Sequence, residues 1–154
     1  MTPPVIPTYP KPTFAPRIGT LMVIDDNEVD QMIYRRIIRR SKMVGQVMPF
    51  LYATEALEYL CRPDRTPVDA ILLDINMPRM DGFEFLEAAT KRLGDRFVQV
   101  VVVMLTTSLD PGDRARAAQF PVVRNYFNKP LEEEHLSQLD ALLTVEQPIR
   151  DVAG

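Results

Sequence analysis

Residues 70–92 read AILLDINMPRMDGFEFLEAATKR, and two different periods meet inside them. Ala70–Leu73 is a continuous apolar run ending on Asp74, the pattern of a strand buried on both faces. Gly82–Arg92 has helical period, and the stretch between carries the turn residues Met77-Pro78 and Asp81-Gly82. The same alternation extends outward in both directions. Apolar runs at Thr20–Ile24, Val47–Ala53, Phe97–Leu105 and Val122–Phe127 precede helical stretches at Glu28–Ser41, Thr54–Cys61, Pro111–Gln119 and Leu131–Leu143. Consecutive strand–helix units imply a parallel sheet, because parallel strands need crossover helices. Pro49 cannot donate to a ladder, which places the second strand at an edge. The expected fold is therefore α/β, a doubly wound five-stranded parallel sheet of order 2-1-3-4-5 with helices on both faces.

Composition bounds the function before any motif is read. The chain has 154 residues with 18 Lys+Arg against 21 Asp+Glu, a net charge of -3, which supplies no global attraction for nucleic acid or an anionic membrane. One cysteine, Cys61, and one histidine, His135, exclude an internal disulfide and a Cys/His zinc site. The longest purely apolar run, Val100–Leu105, is far short of a membrane span, and no secretion signal opens the chain, so a reducing cytoplasmic location is expected. Six of the 14 prolines lie in residues 1–16. Residues 1–19 are read as a proline-rich, extended N-terminal tail whose Pro4, Pro7 and Pro10 share the three-residue period of polyproline II. Residues 20–145 form the folded domain, and 146–154 a C-terminal tail too short for an output domain. On the first helix Ile33, Tyr34, Ile37 and Ile38 read as the packed side, and Arg35, Arg36, Arg39 and Arg40 as the wet one.

The chemistry gathers where strands end. Asp25 and Asp26 follow the first strand, Asp74 the third, Thr106 the fourth and Lys129 the fifth. In a doubly wound sheet these ends share one crevice. Three carboxylates packed together raise one another's pKa or demand a cation, and an oxygen-only set suits a hard divalent ion, Mg²⁺ before Mn²⁺. Singly, an Asp-Asp pair or an Asp-Gly step is ordinary turn and cap chemistry. It is their joint placement that points to a site.

The segments LMVIDDNEVD (21–30), ILLDINMPRMDGFEFL (71–86), VVVMLTTS (101–108) and NYFNKPL (125–131) resemble, in order and spacing, the receiver domains of two-component response regulators, such as the stand-alone chemotaxis regulators. The resemblance implies the flavodoxin-like receiver fold. It also implies Asp74 as phosphoacceptor and Asp25, Asp26, Asp74 and the backbone carbonyl of Asn76 as the metal site, with Asp25 acting mainly through water. Thr106 is then the switch hydroxyl, Tyr126 the aromatic switch, Lys129 the phosphoryl-binding cation on a cis Lys129–Pro130 bond, and Asn76 and Ser108 the positions that tune phosphoryl lifetime. The implied protein is not an enzyme in the usual sense but a signalling module that catalyses its own phosphoryl uptake and loss. Its implied partners are a sensor histidine kinase or histidine phosphotransfer protein upstream, and downstream a protein target or second copy met through the helix 4–strand 5–helix 5 face.

Other readings meet specific obstacles. An aspartyl-phosphate phosphatase of the haloacid dehalogenase type carries Asp-x-Asp after its first strand, whereas Asp25 and Asp26 are adjacent. Asp25, Asp26, Glu28 and Asp30 would repel a flavin phosphate. A receiver-shaped scaffold that acts by binding alone is the competing function, separated from the first by Mg²⁺ binding and phosphoryl uptake.

Overall fold

The computed structural model describes residues 17–107 and 110–153. Its elements run β1 (Ile18–Ile24), α1 (Glu28–Ser41), β2 (Val44–Phe50), α2 (Ala53–Leu60), β3 (Ala70–Asp74), α3 (Gly82–Leu93), α4 (Asp95–Val98), β4 (Val101–Thr106), α5 (Pro111–Ala117), β5 (Val123–Asn128) and α6 (Glu133–Ala153). The five strands are parallel in the order β2-β1-β3-β4-β5. This is the doubly wound order that the strand–helix alternation and Pro49 imply. The Phe50 carbonyl accepts from the Asp25 amide, so Phe50 faces β1 and its neighbour Pro49 turns its donorless nitrogen to the open edge.

Each central strand supplies both halves of the core, because alternate side chains leave opposite faces of the sheet. Met22, Ile24, Ile71, Leu73, Val102 and Met104 pack with α2 and α3 residues such as Leu57, Phe83, Phe85 and Leu86. Leu21, Val23, Ala70, Leu72, Val103 and Leu105 pack with Tyr34 and Ile38 of α1 and Leu136 and Leu139 of α6. Burial on both faces is the reason β3 and β4 are apolar throughout.

Several boundaries differ from the sequence reading. β1 begins at Ile18, inside the segment read as tail, since the Arg17 and Ile18 amides both donate to the Met43 carbonyl and Ile18 is fully buried. β2 begins at Val44 and ends at Phe50, where Ser/Thr-free Leu51-Tyr52 leads into α2. Phe97 and Val98 belong to the short helix α4, entered through Gly94 at φ 55°, and not to the fourth strand. The fourth and fifth helices of the sequence reading are thus α5 and α6. The backbone of α6 continues to Ala153, with no glycine before Gly154 to stop it. On α1, Ile33 is 43% exposed, and its place on the packed side is taken by Gln31, 3% exposed. Ala117 of α5 is buried in the core. Residues 1–16, most of the proline-rich tail, lie outside the described residues, as does Ser108. Among the described residues no helix is long and apolar enough to cross a membrane.

Candidate functional site

The carboxyl ends of β1 and β3 bring Asp25, Asp26 and Asp74 together, with one carboxylate oxygen of each lying within 4.8 Å of the others. Asp25 is fully buried and Asp74 nearly so, whereas Asp26 is exposed. Lys129 enters from the end of β5. Its Nζ lies 2.8 Å from Asp25 Oδ2, 3.5 Å from Asp74 Oδ1 and 3.6 Å from Asp30 Oδ2. Its backbone N–H donates to the Thr106 carbonyl at 2.8 Å, which ties the lysine to the end of β4, and its bond to Pro130 is cis.

Local sequence explains how each acid is held. Asn27 caps α1 by accepting from the Asp30 N–H, and its own N–H donates to Asp25 Oδ1 at 3.0 Å. The turn after β1 therefore fixes both the helix and the buried acid. On the other side of the cleft, Asp81 and Glu84 form a reciprocal capping box that starts α3. Gly82 is required there. A Cβ would stand 2.6 Å from the Asp74 carbonyl oxygen and 3.1 Å from Ile75 Cα, and the Gly82 N–H donates to the Ile75 carbonyl at 2.8 Å. The Asp-Gly pair thus lets α3 close directly onto the loop that follows Asp74.

Electrostatics single out Asp74. Burial first, and then the charge of Asp25, push its carboxyl from 3.8 up to about 6, against the opposing pull of Lys129. Burial alone would lower the Lys129 ammonium, but Asp25, Asp74 and Asp30 outweigh it and raise it overall. Three acids around one lysine, with Asp26 beside them, leave an excess of negative charge lined by oxygen donors. That set fits a hard divalent cation, which prefers carboxylate, carbonyl and water ligands. Asn76 is exposed in the β3–α3 loop, two residues beyond Asp74.

The two switch positions lie on neighbouring strands. Thr106 closes β4 and is 2% exposed. Tyr126 in β5 is half-buried, with the Arg114 guanidinium 5.5 Å from its ring centre. His135 is half-buried, stacked on Phe127 at 4.4 Å, and its Nδ1 accepts from the Glu132 N–H. It therefore caps the start of α6 and does not stand free on the surface.

Three residues of α1 also reach the site: Asp30 and Gln31, to which the sequence reading assigns no role there, and Tyr34, read only as part of the packed side. Tyr34 is buried and its hydroxyl donates to Asp25 Oδ2 at 3.1 Å. Asp30 contributes the third carboxylate around Lys129. The Gln31 amide nitrogen lies 3.0, 3.1 and 3.0 Å from the carbonyls of Val23, Asp25 and Phe50, pinning α1 to the ends of β1 and β2. The available signal was a polar strip, Asp30, Gln31 and Tyr34, on the side of α1 that also carries Ile38.

Comparison with known proteins agrees with this geometry. The chain is 34% identical over 120 residues to the sensor histidine kinase CheAY of Helicobacter pylori, a match that covers 76% of this chain and 14% of that protein's length. A two-component response regulator from Cytophaga hutchinsonii superposes with a TM-score of 0.73 at 26% identity, covering 82% of this chain and 97% of that one. The receiver domain of a Pseudomonas aeruginosa sensor histidine kinase, whose cleft holds a magnesium ion, superposes with a TM-score of 0.65 at 23% identity, covering 80% and 94%. The family model for the response regulator receiver domain matches residues 21–139. The chain belongs to the response regulator receiver domain family.

Proposed function

We propose that this chain accepts a phosphoryl group on Asp74 from a phosphohistidine of a sensor histidine kinase or histidine phosphotransfer protein, and passes the signal on by changing a docking surface. The observation that carries this reading is the setting of Asp74. It is a nearly buried carboxylate held between two other acids and a lysine 3.5 Å away, at the end of the central strand.

A carboxylate oxygen of Asp74 attacks the phosphorus. A P–O bond forms, the P–N bond breaks, and its electron pair leaves with the imidazole, which takes up a proton. Such a transfer asks for alignment and charge neutralisation more than for covalent machinery. Asp25, Asp26, Asp74 and the Asn76 carbonyl would hold Mg²⁺, or Mn²⁺ in its place; Asp25, whose oxygens already have protein partners, contributes mainly through water. When bound, the ion offsets the negative charge of the phosphoryl oxygens. Lys129 gives its ammonium to one of those oxygens, and the Thr106 hydroxyl donates to another. As Thr106 turns toward the acyl phosphate, Tyr126 follows into the space beside it, exchanging its contact with Arg114 for a buried position. The surface of α5, β5 and α6 then changes and meets its target or a second copy of the chain. Neither Asn76 nor Ser108 is acidic, so neither supplies a base for an attacking water, and the acyl phosphate is lost at a slow to moderate rate.

Intact-mass analysis after incubation with Mg²⁺ and acetyl phosphate tests the reading. Wild type should gain one phosphoryl group, while Asp74→Ala and a chelator-treated sample gain none. A wild type that neither gains mass nor binds Mg²⁺ would establish the alternative, a receiver-shaped scaffold that works by binding alone.

A further inference from the structure

We propose that Asp30 is a positioning residue for Lys129: it holds the ammonium toward α1, away from Asp74, and so sets the threshold at which an arriving phosphoryl group captures the lysine. This rests on the reading of Asp74 as the phosphoacceptor.

The argument is one of competing distances. The Lys129 ammonium lies 3.5 Å from Asp74 Oδ1 and 3.6 Å from Asp30 Oδ2, so the two acids pull on it almost equally and from different elements. Asp25, at 2.8 Å, decides where it rests. Asp25 cannot follow the lysine. Its Oδ2 also accepts the Tyr34 hydroxyl, its Oδ1 accepts the Asn27 N–H, and the helix bearing Asp30 and Tyr34 is pinned through Gln31 to three strand-end carbonyls. Asp30 is itself set by its N–H, which donates to the Asn27 side chain at 2.9 Å. It stands one helical turn before Tyr34, on the same flank. A phosphoryl group on Asp74 must therefore draw the ammonium off a fixed acidic wall. Removing one charge from that wall while leaving its shape favours capture. Because the Asp30 side chain is 34% exposed, its hold is screened by salt.

The full chain is compared as wild type, Asp30→Asn and Glu28→Gln. The last removes an exposed carboxylate from the same turn of α1. Beryllium fluoride, a tetrahedral phosphoryl analogue, is titrated calorimetrically at saturating Mg²⁺, and the Lys129 ammonium resonance is followed by NMR with neither metal nor analogue present. Asp30→Asn should shift the ammonium resonance and bind the analogue about fivefold more tightly at low salt, a gain that shrinks at high salt. Glu28→Gln should do neither. An Asp30→Asn protein indistinguishable from wild type, or matched by Glu28→Gln, would overturn the proposal. If wild type binds no analogue, the phosphoacceptor reading fails, and the metal-free resonance alone decides whether Asp30 places the lysine.

Discussion

Asp74 is costly to keep ionised, and that cost is measurable. Its folded pKa of about 6 lies above the ordinary 3.8, so the fold disfavours the charged form. The penalty is complete above about 6 and disappears once the carboxyl is protonated in both folded and unfolded chains, below 3.8. In chelator at pH 8, Asp74→Asn should thus be more stable than wild type by about 2 kcal/mol in urea denaturation. The advantage should fade as the pH drops toward 4, and saturating Mg²⁺ should reverse it by stabilising wild type alone. An Asn variant no more stable than wild type at pH 8 would show that Lys129 already balances the acid. Asp25, Asp26, Asp74, Thr106 and Lys129 were legible as a group because each follows an apolar run. Asp30 and Gln31 were not, because a polar residue on an amphipathic helix reads as wet, and Tyr34 was legible as packed but not as a hydrogen-bond partner of Asp25. Only the sheet, by presenting the carbonyls of Val23, Asp25 and Phe50, gives Gln31 a reason to be inside.

Among the elements, α3 depends most sharply on one position. Gly82→Ala places a methyl 2.6 Å from a backbone oxygen, where no flexible side chain can yield. The variant should lose about 2 kcal/mol in urea denaturation and, because α3 must withdraw from the loop after Asp74, take up phosphoryl from acetyl phosphate at least tenfold more slowly. A variant of native stability and normal uptake would show that the helix approach has slack. The strands themselves were readable from β-branched runs flanked by polar ends. What failed was the division within Phe97–Leu105. An apolar run has no period of its own to separate helix from strand, and Phe97 is as buried in α4 as a strand residue would be, packed edge-on against Phe85. The turn at Gly94 starts α4, and the division falls at Gln99, its C-cap, and Val100, whose N–H still donates to the Phe97 carbonyl before β4 begins.

For the molecule as a whole, the output should be confined to one side. Hydrogen exchange of the phosphorylated protein should change in residues 110–127 and 131–143, covering α5, nearly all of β5 and the first half of α6, while α2 and α3 keep their protection. Unchanged exchange in those segments would remove them as the signalling face. The structural ground for expecting such asymmetry is the amide of Gln31. By joining α1 to the ends of two strands, it makes the acidic side of the cleft behave as the fixed jaw of a vice. On the proposed phosphoacceptor reading, Lys129 and Thr106, joined to each other by a backbone hydrogen bond, would form the jaw that travels. Displacement at the cleft should therefore pass mainly to the β4–β5 side, with no separate device to choose its direction.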